Sequence, residues 1–141
     1  MEYRKIGDAY VLRLDRGDEV LSSLETFCRA EDVKLGSVEG LGASDHAVIG
    51  LYDVEERLYH KSVFDEPMEI TSLLGNISTK EGEIYLHLHI TLGRAGAGVI
   101  GGHLTECRIS APGELFVRPL PGTVERRLDE TGTGLNLFRF L

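Results

Sequence analysis

The chain has only two cysteines in 141 residues, Cys28 and Cys107, and no CxxC pair. They build neither a disulfide framework nor a cysteine metal knuckle. Each reads as a small buried hydrophobe, Cys28 in a helical pattern and Cys107 in a strand-like one. No apolar run reaches the length of a transmembrane helix, and the opening Met1-Glu-Tyr-Arg-Lys-Ile-Gly-Asp8 lacks the apolar stretch of a secretory signal. A cytoplasmic protein without membrane contact is therefore expected. Basic clusters are missing as well. At a net charge of −8 and a pI near 5.1, the average surface repels a phosphate backbone. The densest basic pair, Arg126 and Arg127, lies between Glu125 and Asp129 and reads as solvated mixed-charge surface. No repeat, low-complexity tract or linker divides the chain, so residues 1–141 are expected to form one domain.

What is present is one helical pattern followed by many strands. Ala9 to Leu14 is rich in strand formers and is broken by Asp15-Arg-Gly-Asp18. From Asp18 onward, Val20, Leu21, Leu24, Phe27 and Cys28 follow the spacing of an amphipathic helix, with Asp18 or Asp15 as N-cap and Gly36 near its end. Strands are expected at Ser37–Leu41, His46–Tyr52, Arg57–Phe64, Met68–Ser78, Glu83–Leu92, Val99–Ile109, Glu114–Pro119 and Leu135–Phe140. Thr123 to Gly134 reads as a surface loop, and the closing apolar segment as a strand that must be paired or covered. The breaks are too short for crossover helices, which favours hairpins. The fold class is α+β: a mainly antiparallel sheet with one principal N-terminal helix packed on it.

The chemistry lies in the histidines. His87 and His89 are two residues apart on a strand and so share a face. His103 lies on the strand expected to pair back across the Gly93–Gly98 turn, and a register placing it opposite His87 or His89 gathers three imidazoles. A slip of one residue would send His103 to the other face. Three histidines with an open fourth position are a known catalytic zinc arrangement, so a divalent transition metal, zinc above others, is the expected cofactor, against the alternative of hydrogen-bonded sheet-face or interface histidines. His46 and His60 have no comparable partners and read as ordinary strand residues, and Tyr52, Tyr59 and Tyr85 as strand packing.

Two other patterns carry less. Gly96-Ala-Gly98-Val-Ile-Gly101 matches GxGxxG, but a dinucleotide site needs a helix straight after the glycines within a βαβ unit, and Pro112 stops any such helix, leaving a hairpin turn. A cupin also presents His-x-His on a strand, but its glutamate would fall where Thr91, Leu92 and Gly93 stand.

Taken in order, Ser37-Val-Glu-Gly-Leu-Gly-Ala43, Met68-Glu-Ile-Thr-Ser-Leu-Leu-Gly-Asn-Ile77, His87-Leu-His-Ile90 and Gly101-Gly-His-Leu104 resemble the motifs of the plants-and-prokaryotes-conserved (PPC) domain, as does the Arg16-Gly-Asp-Glu19 stretch leading into the early helix. The resemblance spans nearly the whole chain. It implies a compact domain around an antiparallel sheet, assembly as a homotrimer, and a metal site at His87, His89 and His103. In plant members the domain accompanies an AT-hook, and the segment similar to Glu69–Gly75 serves interactions with other proteins. This chain contains no Arg-Gly-Arg-Pro hook.

Three functions follow as expectations. The first is a metal-binding homotrimer with a regulatory or ligand-sensing role, open to a protein partner through Met68–Ile77 or to a small molecule. The second is a metal-dependent hydrolase or lyase with Glu69 or Glu39 as base. The third is a DNA-binding or transcription-associated protein, in which a trimer gathers Arg94 or Arg108 from several subunits; the acidic balance disfavours it.

Overall fold

Residues 1–96 and 98–140 are described by the computed structural model. The elements run β1 (Glu2–Ile6), β2 (Ala9–Leu14), α1 (Val20–Ala30), β3 (Gly36–Asp53), β4 (Leu58–Phe64), β5 (Met68–Lys80), β6 (Glu83–Arg94), β7 (Gly98–Pro119), β8 (Glu125–Leu128) and β9 (Asn136–Arg139). The pairings are antiparallel except for one parallel bridge from Thr79 on β5 to Glu125 on β8. The α+β reading therefore holds, in a molecule that is mostly sheet with one short helix.

Helix α1 buries Val20, Leu24, Phe27 and Cys28, the stripe that the sequence spacing marks out. Its ends differ from expectation. Glu19, not Asp18 or Asp15, is the N-cap: its carboxylate accepts from Leu21 N at 3.1 Å and Ser22 N at 2.7 Å, and also from Cys107 N on β7 at 3.2 Å. The two aspartates instead hold the chain's terminal amine, at 3.2 and 2.9 Å. The helix stops at Ala30, and Gly36 opens β3, where a Cβ would stand 2.7 Å from the Arg118 carbonyl oxygen. Tyr3 and Tyr10 meet Phe27 edge-on at 5.0 Å each, joining the first hairpin to the helix.

Two long strands organise the rest. The expected Ser37–Leu41 and His46–Tyr52 are one strand, β3, bent by register shifts between Gly40 and Gly42, Gly42 and Ser44, Ser44 and His46, and Val48 and Ile49. The expected Val99–Ile109 and Glu114–Pro119 likewise merge into β7. The first half of β3 pairs with β5 and the end of β7, and its second half with β4 and the middle of β7. Strand β6 pairs with β5 on one side and the start of β7 on the other. Pairing thus runs in a ring β3–β5–β6–β7, which leaves these strands no bare inner edge. Leu88, Ile90 and Leu92 of β6 point to the core, with Leu73, Ile77, Leu104 and Ile109 among their buried companions.

Two strands escaped the sequence. β1 is exposed at all five positions, so no alternation marks it. β8 lies inside the segment expected to be loop; only Arg126 of its four residues is buried, and an arginine does not signal an inward face. The final strand is paired, with β8. The Gly93–Gly98 turn includes Ala97, which lies outside the described residues. Gly98 and Gly101 fall within β7, so no helix follows the glycines of the GxGxxG run.

The opposing backbones pack closely at Gly75, where a Cβ would collide with the carbonyl oxygen of His87 and stand 2.8 Å from Leu88 Cα. Backbone atoms cannot swing aside. Gly75→Ala is therefore expected to cost about 1–3 kcal/mol, read as a lower urea midpoint at unchanged slope.

Candidate metal centre

The register that decides the site is that of β6 and β7. His89 stands directly opposite His103, and His87 lies two residues back on the same face of β6. The ring centroids are 5.2 Å apart for His87–His89, 5.2 Å for His87–His103 and 5.7 Å for His89–His103. One ligand nitrogen from each ring lies within 4.8 Å of the other two. His89 is exposed, whereas His87 and His103 are half-buried.

The surroundings are close-packed. A Cβ on Gly102 would stand 2.6 Å from Ile49 Cγ2 and 2.9 Å from the Gly50 carbonyl oxygen, so the hairpin can press onto β3. Gly50 pairs with His103, and the Tyr59 ring occupies the space a Gly50 side chain would take. That ring lies 4.7 Å from the His103 ring at 32°, with Tyr52 a further 4.8 Å beyond and its hydroxyl donating to the Thr133 carbonyl at 2.7 Å. Tyr59 is thus more than strand packing.

On the other side stands Arg126, only 8% exposed, contrary to its expected place on a solvated surface. Its guanidinium donates to Ser78 Oγ, the Asn136 carbonyl and Asn76 Oδ1, each at 2.8 Å, and lies between the rings of Tyr85 at 4.8 Å and Phe138 at 4.2 Å. The cation–π contacts and neutral acceptors replace water, but burial still lowers its pKa. Asn76 pairs with His87 and Ser78 with Tyr85 on β5 and β6, which puts this guanidinium beside the first histidine. The period-two alternation of β8 was the available sign, but an arginine among acidic neighbours does not read as inward.

Burial and neighbouring charge favour the neutral form of His87 and His103. His103 is pushed down to about 4, first by burial, then by His87 and His89 and by Lys61. His87 is lowered by burial, then by the Arg126 charge and by His89. His103 Nδ1 is buried with no hydrogen-bond partner among the described residues. An orphaned polar atom is costly, and a metal bond is one relief of that cost. The donor set, three imidazoles gathered on paired strands, fits a transition ion.

Other expected residues lie elsewhere. Glu39 shares the cross-strand row Glu39–Leu74–His89–His103, but two strand spacings, about 10 Å, separate it from His89, and it is ion-paired with Arg118. Glu69 stands opposite Gly93, four residues beyond His89 on β6, about 13 Å along the strand. Neither joins the histidine group. His46 and His60 do have partners, contrary to expectation. His46 is held between Asp65 at 2.5 Å and Glu106 at 3.3 Å. His60 Nε2 lies 2.8 Å from Glu56 and groups with Asp53, whose carboxylate is already engaged by the amides of Glu55 and Glu56.

The model of the Plants and Prokaryotes Conserved (PCC) domain matches residues 1–121. Among solved structures, a candidate DNA-binding protein from Bacteroides thetaiotaomicron superposes with a TM-score of 0.95 at 32% identity, covering 99% of this chain and 96% of that one. A metal-containing protein from Archaeoglobus fulgidus gives 0.88 at 38% identity, covering 99% and 97%. A plant- and prokaryote-conserved protein from Pyrococcus horikoshii gives 0.85 at 29% identity, covering 99% and 96%. No curated protein matches the chain.

The lowered His103 pKa fixes a pH dependence for the metal-free protein. An unfolded histidine takes its proton near pH 6.5 and folded His103 near 4, so between these values the unfolded state binds more protons and stability falls as pH falls. Denaturant titrations from pH 7 to pH 4 should show this loss, reduced in His103→Asn, with the His103 ring signal in NMR shifting only near pH 4.

Proposed function

Since the chain belongs to the Plants and Prokaryotes Conserved domain family, we propose that it is a metal-binding module in which His87, His89 and His103 hold one divalent transition ion, zinc above others. In this reading the module works in the cytoplasm as a homotrimer that senses or binds a small ligand at the ion. The observation that carries it is the convergence of three ligand nitrogens from one hairpin. In a tetrahedral zinc site with bonds of 2.0–2.1 Å the nitrogens stand roughly 3.3 Å apart. Reaching that spacing from separations of up to 4.8 Å requires the rings to turn toward the ion. A bound ion would supply a Lewis-acid position open to a fourth ligand. The protein's part is to present the three imidazoles, exclude water from one side with Tyr59, and fix the rings by strand register. The exposed Leu51, Val63, Leu74 and Val99 provide apolar surface that an assembly would cover.

The placement of Glu39 and Glu69 favours sensing over hydrolysis, because a base must reach the proton it removes within hydrogen-bond range or through one water. The DNA-binding description belongs to structural neighbours. Here Arg94 is paired with Glu66 and Arg108 with Asp45 at 2.8 Å, so the two arginines expected to gather into a phosphate-contacting patch are neutralised locally.

Plasma mass spectrometry of tag-free protein should find close to one transition-metal ion per chain, lost in His89→Ala and retained in Glu69→Gln and Glu39→Gln, with light scattering giving the mass of a trimer. A well-folded protein that neither carries nor takes up zinc would remove this reading.

A further inference from the structure

Arg126 is a buried cation that forms no ion pair among the described residues. Its three observed acceptors are an alcohol, a carbonyl and an amide, none of which carries charge. One of them, Asn76, is the cross-strand partner of His87, so the guanidinium sits in the row that contains the first metal ligand. The proposed ligand set is equally free of negative charge: three imidazoles and no carboxylate. A divalent ion on these rings and the Arg126 cation would place three positive charges within a few side-chain lengths of one another, partly out of water. Such an arrangement is expensive unless an anion completes it.

We propose that the open coordination position beside Arg126 selects a small carboxylate anion as its ligand, the guanidinium acting through its charge across Asn76 and the metal through direct coordination. This rests on the metal reading above and narrows its ligand to a chemical class. It also accounts for a polar choice in the structure. An aspartate at position 76 would pair with Arg126 directly, and an asparagine there keeps the hydrogen bond while leaving the cation uncompensated.

The test uses the whole protein loaded with cobalt(II), whose visible bands report the fourth ligand, titrated with acetate and, as the uncharged isostere, acetamide. Acetate should change the bands saturably and acetamide should not. Arg126→Gln removes the charge but also the clasp on β8 and β9, so Asn76→Asp is the decisive variant because it neutralises the guanidinium in place. Asn76→Asp should weaken acetate binding by about tenfold, the scale of one charge acting over several ångströms at a protein surface, while holding cobalt at least as tightly as the parent. Cobalt uptake with no acetate response, an equal response to acetamide, or acetate binding unchanged in Asn76→Asp would overturn the anion proposal and leave the metal reading standing. Failure to take up cobalt would overturn both.

Discussion

The pairing of His89 with His103 is the constraint on which the rest of the site depends, and it is a property of the sheet before it is one of the histidines. Because β3, β5, β6 and β7 close a ring of pairing, the register of β6 against β7 is tied to those of β6 against β5 and β7 against β3. Sliding one interface by a residue would carry Leu88, Ile90 and Leu92 out of the core along with the imidazoles. The hydrophobic face thus pins the polar one. Free energy that stabilises the fold also fixes the geometry of the three imidazoles, which lie on strands.

Close backbone approach serves the same end. Gly102 and Gly50 let β7 and β3 come together where larger residues would hold them apart, and the absence of a side chain at Gly50 admits the Tyr59 ring against His103. The wall this makes is apolar on the side facing the imidazole, and burial there is the largest cause of the lowered His103 pKa. A neutral ring is the form a metal requires, so the packing also sets the protonation state.

The histidine pattern was legible because it depends on period two alone: His87 and His89 share a face whatever surrounds them, and one hairpin offers few registers for His103. The helix stripe was legible for the same reason at period 3.6. The helix cap was not, since Asp15, Asp18 and Glu19 are all acceptable acceptors and the choice was made at a distance, by Cys107 N and the terminal amine. Bulged strands read as two because glycines interrupt their alternation, although the backbone continues through the bulge. Arg126 was hidden most completely. Its burial depends on Tyr85, Asn76 and Ser78, all more than one strand away in sequence, and on Phe138 of the paired β9.

Near-identical backbones in this family carry descriptions as different as metal-containing and DNA-binding. The fold cannot decide between them, because strand pairing and core packing are indifferent to which side chains occupy the outer face. In this chain the outer face gives different answers to the two cases. Arg94, Arg108 and Arg118 are paired with Glu66, Asp45 and Glu39, so their fields close locally and reach little beyond a Debye length. Its buried Arg126 has no counter-charge among the described residues and lies across Asn76 from His87, one of the three clustered imidazoles. A polyanion needs the first set free and gains little from the second; a small anion on a metal needs only the second. The distribution of charge, more than its net value of −8, is what separates the two readings.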